Sequence, residues 1–222
     1  MFQTFGWHHV LFLVEAMRLT LLLFAAGLVG GSLLGALLAT LGTLPALLPQ
    51  RFARGFIYVF QGIPLIVLLF IAYFGLTSIG LDLPPLAGAA LALTLFAGAF
   101  LGEIWRGAIA AVADGQWQSA AALGLRWHHA FRLVVAPQAV RAGIPPTVGF
   151  LVQLVKNTSL ASLIGFVEVT RAGQLVSNAT FSPLPVFLTV AALYFAVCFP
   201  LSRAARALEL RFSTGHALEP LT

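Results

Sequence analysis

The sequence predicts an all-α, polytopic membrane protein with about five transmembrane helices and a cytoplasmic helical hairpin between the third and fourth. The N-terminus is expected outside and the C-terminus inside. Three observations predict this class. First, the 222 residues are 60% hydrophobic and only 9% charged, with mean hydropathy +0.98; so few charges cannot coat a water-soluble particle of 23.6 kDa. Second, charge-free stretches long enough to cross a bilayer recur at Leu19 to Gln50, Gly55 to Leu81, Leu83 to Gly102 and Ala172 to Ser202. A fifth, Ala142 to Val167, is interrupted by Lys156 alone. Third, the excess of 12 basic over 7 acidic residues is spread singly between apolar runs. That pattern fits the positive-inside rule and excludes a nucleic-acid footprint.

In chain order the spans are expected at 18–41, 52–76, 86–108, 138–159 and 184–205, in one membrane domain covering 1–222. Arg51, Arg54, Arg106, Arg126, Arg132, Arg141, Arg203, Arg206 and Arg211 fall on one side, which the rule makes cytoplasmic. Arg18, Arg171, Glu15, Asp82 and Glu168 fall on the other. Met1 to Leu13, with Phe5, Trp7 and Phe12, reads as an interfacial lead-in, and no removable signal peptide is expected. Within the first span Gly27, Gly31, Gly35 and Ala39 repeat every four residues, a stripe on which another helix can approach closely, inside the subunit or across a dimer. Pro64, Pro145 and Pro146 are expected to bend or break their spans. The single Cys198 excludes an internal disulfide framework. His128 and His129 are adjacent and lack acidic or Cys neighbours, so neither a metal site nor a cofactor is expected.

The loop 109–137 is too long for a bare connection and reads as a folded hairpin. Asp114 is placed to cap a helix, Gln116 to Leu123 holds strong helix formers, Gly124 is placed to end it, and a second helical run reaches Pro137.

Charge within the bilayer is expensive and marks a candidate functional site. Glu103 lies about a turn inside the third span's cytoplasmic end, and Lys156 lies late in the fourth, where Asn157, Thr158 and Ser159 make the chain locally polar. Together they could clamp the ammonium and carboxylate of a zwitterion. Two other readings stand beside this one: Glu103 paired with Arg106 at i, i+3, and Lys156 snorkelling to the headgroups. Lys156 is preceded by Val155, not by the Gly of a phosphate-binding loop, so the chain is not expected to hydrolyse ATP by that route.

The loop also contains Gln118-Ser119-Ala120, Gly124 and then Val134-Val135-Ala136-Pro137. This resembles the cytoplasmic signature of the membrane subunits of ATP-binding-cassette importers: Glu-Ala-Ala, three residues, Gly, nine residues, Ile-x-Leu-Pro. The resemblance is narrower, to the polar amino-acid permease branch (histidine, glutamine, glutamate, arginine and cystine type). It extends over Gln61-Gly62-Ile63-Pro64, Gly102-Glu103-Ile104-Trp105-Arg106-Gly107, Asp114-Gly115-Gln116-Trp117 and Lys156-Asn157-Thr158-Ser159-Leu160. Gln118 and Ser119 depart from the signature's Glu and Ala, and Gln61 stands where the branch often has Arg.

The resemblance implies a subunit that forms the translocation path for a polar amino acid. Its partners would be cytoplasmic ATPase subunits, a second permease subunit, identical or not, and an extracytoplasmic amino-acid-binding protein. Asp114, Gln118, Ser119, Ala120, Gly124 and Pro137 would couple to the ATPase, with Ala120 and Gly124 forming a narrow docking face. Gln61, Glu103, Lys156, Asn157, Thr158 and Ser159 would line the substrate path. The alternative is an ion-coupled secondary transporter of amino acids, which typically shows internal repeats that this chain lacks. An intramembrane enzyme is disfavoured by the absence of a membrane-embedded nucleophile, base or metal set.

Overall fold

The computed structural model describes residues 4–213; the outermost parts of the expected 1–222 domain and of the expected lead-in, residues 1–3 and 214–222, lie outside the described residues. The described chain is helical, with no strand among those residues. Eight helical segments follow one another: α1 (Trp7–Thr43), α2 (Leu47–Gly62), α3 (Leu65–Ser78), α4 (Pro85–Ala110), α5 (Asp114–Ala122), α6 (Trp127–Ile164), α7 (Val169–Thr180) and α8 (Pro183–Ser213). Four of these, α1, α4, α6 and α8, are long and apolar enough to cross a membrane, and α2 with α3 makes a fifth as a pair bent by 99°.

That bend is the expected break at Pro64. Ile63, the residue before the proline, is extended (φ −93°, ψ 126°), because the proline ring disfavours a helical conformation at the preceding position. Pro145 and Pro146 behave otherwise: helical geometry runs through both. Pro137 likewise does not close the second run of the hairpin. A wide π turn at Phe131–Val135, in which the Ala136 N–H bonds the Phe131 carbonyl, leads directly into the membrane helix. The hairpin's second arm and the fourth span are therefore one helical run.

α1 starts earlier than expected. Its first turns carry exposed Trp7 and Phe12, but Leu13 is fully buried, so the lead-in is part of the folded helix. It packs with α7 and α8 in a cluster that includes Met17, Val169, Val176, Val186 and Val190. Further along, the glycine stripe of α1 lies against α4, inside the subunit. A side chain added at Gly31 would collide with Ala97 and approach the Gly98 backbone nitrogen to 3.2 Å, and one at Gly35 would come within 2.9 Å of Leu101. Missing side chains let the two backbones approach closely. The main core lies beside this seam, where Leu23, Leu93, Phe96, Leu101, Phe150 and Leu154 are buried together.

α7 is an element the charge-free-stretch count did not isolate. It is amphipathic, with Val169, Ala172, Gly173 and Val176 buried at i, i+3, i+4 and i+7.

Candidate functional site

Two clefts adjoin on the face of α4, one polar and one mostly apolar. One, about 250 Å³, lies between α2 and α4 and is lined by Arg54, Ile57, Tyr58, Glu103 and Arg106. The other, about 490 Å³, takes in Gln61, Phe100, Glu103, Ile104, Ala142 and Pro146. Glu103 belongs to both, so the structure brings Gln61 and Glu103 together. The break after α2 ends that helix near α4, where Gln61 Nε2 donates to the Ala99 carbonyl at 3.4 Å.

Glu103 is not a lone charge. Arg106 Nε donates to Oε2 at 2.8 Å and Nη2 to Oε1 at 2.5 Å, a two-point pair made possible by the i, i+3 spacing. Its partners remain accessible: the side chains are 28% (Arg106) and 40% (Glu103) exposed. The guanidinium stem rests over Gly42 near the end of α1, 3.2 Å from where a Cβ would stand. Arg54, whose guanidinium donates to Gln50 Oε1 at 2.8 Å, supplies a second positive charge that acts on the Glu103 carboxylate.

Lys156 is elsewhere. It lies near the far end of α6, whereas Glu103 lies near the hairpin end of α4. Trp105 of α4 donates to Thr147 of α6 at 2.9 Å, which fixes the level of one helix against the other; at 1.5 Å per residue Lys156 then stands roughly 10 Å beyond Glu103 along the bundle, and neither cleft takes in Lys156, so the structure does not bring the Glu103 and Lys156 clamp together. Lys156 is exposed and Asn157 half-buried. Ser159, half-buried, donates to the Lys156 carbonyl at 2.7 Å. Thr158 is fully buried and its hydroxyl donates to the Val155 carbonyl at 2.7 Å, which turns it away from any path.

In the hairpin, Asp114 is not the cap: Ala113 holds that position, without a side-chain hydrogen bond, and Asp114 is the first helical residue. There its charge still complements the helix dipole. Gly124 ends α5 as expected, at φ 75°. Its N–H bonds the Ala121 carbonyl at 2.9 Å and the Leu125 N–H bonds the Ala120 carbonyl at 3.1 Å, a Schellman stop that needs a left-handed residue.

The expected docking face is corrected, because Ala120 is only 2% exposed and faces its own chain. The hairpin also carries an aromatic stack that the sequence reading did not single out. The Trp127 and Phe131 rings lie 5.5 Å apart and 6° from parallel, and Trp117 stacks on both. The exposed residues of α5 include Gln118 and Ser119, followed by Leu123, 80% exposed. Pro137 is exposed, and the neighbouring Gln138 ties the arms through Gln116 Oε1 at 3.2 Å.

Glu168, counted among the charges of the outer side, is fully buried. It caps α7, accepting the Thr170 and Arg171 N–H groups, each at 2.8 Å, and the Tyr194 hydroxyl at 3.0 Å. The adjacent Val169 N–H donates to Thr20 of α1 at 3.1 Å. Burial pushes the carboxyl up from its ordinary range, against these donors, which pull it down. The signal available in the sequence was Glu at an N-cap position before an amphipathic run. Among the described residues no group of His, Cys, Asp and Glu could hold a metal ion.

The described residues form a bundle of membrane-type helices with one broken span and a structured hairpin between the third and fourth spans. Residues 12–214 match the family described as "Binding-protein-dependent transport system inner membrane component", and the chain belongs to that family. Among named relatives, it is 34% identical over 214 residues to the probable glutamine ABC transporter permease protein GlnP of Bacillus subtilis (strain 168), covering 91% of this chain and 94% of the relative. It is 32% identical over 207 residues to the glutamine transport system permease protein GlnP of Escherichia coli (strain K12), covering 92% and 94%. Among solved structures, an amino acid ABC transporter crystallised with histidines superposes with TM-score 0.84 at 28% identity, over 90% of this chain and 94% of that one. The methionine transporter MetNI, at 20% identity and TM-score 0.64, shares the fold over 88% and 94%.

Proposed function

We propose that this chain is the permease subunit of an ATP-binding-cassette importer and carries a polar amino acid across a bacterial-type cytoplasmic membrane. The observation that carries the reading is the end-to-end likeness to an amino acid ABC transporter, at TM-score 0.84, joined to 34% and 32% identity, over nearly the whole chain, with a probable glutamine permease and a glutamine permease. In this reading the whole chain is one permease domain of five spans, with its N-terminus outside and its C-terminus inside. A second permease subunit completes the path, an extracytoplasmic binding protein delivers substrate, and a separate ATPase hydrolyses ATP.

The hairpin is the coupling element. Gln118, Ser119 and Leu123 offer its exposed face to a groove on the ATPase, while Ala120, Gly124 and the aromatic stack fix its shape. Asp114 and Pro137 act at the two ends of that unit by orienting it. Gln61 and Glu103 line the path on the hairpin side, and Lys156, Asn157 and Ser159 line it on the opposite side. Thr158 supports the latter group from within. Closure of the ATPase pair would move the hairpins and, through the rigid α6 run, open the path to the other side.

The test is reconstitution of the permease with its ATPase in proteoliposomes, with the binding protein supplied outside and L-glutamine, L-histidine and L-arginine offered as substrates. ATP-dependent and binding-protein-dependent uptake of one of these amino acids is expected. Uptake that proceeds without ATP would overturn the reading in favour of an ion-coupled carrier, and no uptake of any amino acid would overturn the substrate class.

A further inference from the structure

The sequence suggested one zwitterion clamp made of Glu103 and Lys156. The structure instead sets two polar groups on different helices, roughly 10 Å apart along the bundle, with Lys156 outside the cleft that holds Glu103. One contains Lys156, Asn157 and Ser159, and the other contains Arg54, Tyr58, Glu103 and Arg106. The second group has a cation to spare. Glu103 is matched by Arg106 through two hydrogen bonds, whereas Arg54 bonds only to the neutral Gln50 amide among the hydrogen bonds described for its side chain. The cleft therefore carries one net positive charge beside an exposed carboxylate. It has room, about 250 Å³, for the head of an amino acid. Tyr58 adds a hydroxyl that can donate or accept, and the Gln61 cleft continues from Glu103, giving space for a side chain.

We infer that the Arg54, Tyr58, Glu103 and Arg106 cleft is a second, hairpin-side station for the transported amino acid, with Arg54 taking its α-carboxylate and Glu103 its ammonium. The inference rests on the transport reading above. A guanidinium and a carboxylate recognise the parts that all α-amino acids share, so this station holds the backbone and leaves side-chain selection to other contacts. Glu103 keeps Arg106 as its partner when the station is empty, so neither charge is stranded in the bilayer between turnovers.

The experiment uses the detergent-solubilised complex of permease and ATPase without binding protein. The probe is whichever of L-glutamine, L-histidine and L-arginine the wild-type complex transports, compared with the α-amide of the same amino acid, which lacks the carboxylate. Equilibrium binding is measured for wild type, Arg54→Gln, Arg54→Lys and Arg51→Gln, the last removing a neighbouring exposed cation outside the cleft. Wild type is expected to bind the acid at least about tenfold more tightly than the amide, the scale of one charge-assisted hydrogen bond. Arg54→Gln should erase that preference, Arg54→Lys should restore part of it, and Arg51→Gln should leave it intact. A preference unchanged in Arg54→Gln, or equally lost in Arg51→Gln, would overturn the station. If the wild-type complex transports no amino acid at all, the transport reading fails first, and that result is distinct from a transporting wild type whose Arg54 variants behave normally.

Discussion

Removing the buried Glu168 cap should loosen the union of α1, α7 and α8. The carboxylate accepts two backbone N–H groups, each at 2.8 Å, and the Tyr194 hydroxyl at 3.0 Å, and none of it is exposed. In Glu168→Ala the lost helix cap is worth about 1 kcal/mol. Donors left in a dry site add about 2 to 3 kcal/mol more. A total of roughly 3 to 4 kcal/mol corresponds to a fall in Tm of roughly 6 to 16 °C for a chain of this size. The assay is thermal unfolding of the purified permease, followed by the loss of its monodisperse elution peak.

Tyr194→Phe isolates one of the three contacts. Its hydroxyl also lies 3.2 Å from Thr170 Oγ1, so the single variant should lose about 1 to 2 kcal/mol. The double variant should then fall short of additivity by about 1 kcal/mol, because the Glu168 and Tyr194 contact is lost only once. Independent, additive effects of the two substitutions, or a Glu168→Ala protein as heat-stable as the wild type, would refute the argument that this node holds the three helices together.

Three further outcomes follow from other parts of the fold. The folded-state pKa of Glu168 is raised above its ordinary 4.5, so the native state holds the proton more tightly than the unfolded chain. Stability at this site is therefore greatest below the unfolded value and declines as pH rises through the folded one; Glu168→Gln should flatten that decline in Tm against pH. Gly31→Leu should force α1 and α4 apart where even a Cβ meets Ala97, at a loss of at least about 1 to 3 kcal/mol, read as a fall in Tm or in folded yield. Gly124→Val meets no atom within 4 Å but must hold φ 75°, a strain of about 1 to 2 kcal/mol. It should fray the end of α5 and weaken ATPase co-purification, whereas Leu123→Glu should weaken that co-purification with Tm unchanged.

Much of the architecture was legible because lipid imposes it. Long charge-free stretches have to be helices when no water is present to satisfy a backbone. Those stretches located α1, α4, α6 and α8, and Pro64 located the 99° break through the ring's local sterics. The Gly124 stop was equally local, since only the chain's own carbonyls and a left-handed residue are involved. The glycine stripe announced a close helix contact; its partner, α4, was not legible, because the stripe describes one surface and not the one facing it.

The candidate site was read less completely. The Glu103 and Arg106 pair follows from i, i+3 spacing and stood among the sequence readings. Arg54 did not, because it reaches the cleft from α2, 49 positions before Glu103 in the chain, through the packing of two separate helices. Ala120 looked like a docking face because it is small; whether a small residue faces inward is decided by how the two arms of the hairpin pack on each other, here with Trp117 of one arm stacked on Trp127 and Phe131 of the other. The burial of Glu168 was not legible, because Tyr194 and Thr20, the residues that bring it into a buried network, lie 26 and 149 positions from the groups they bond.

By itself, then, the sequence determined that the chain lives in a bilayer, roughly where its long apolar helices lie, where α2 breaks from α3 and where α5 stops. Each of these depends on hydropathy or on sterics within a few residues. Only the tertiary structure decided that Lys156 stands outside the cleft that holds Glu103, that Arg54 stands inside it, and that Glu168 is buried. Those facts depend on the register of one helix against another, which is set by close packing between residues distant in the chain.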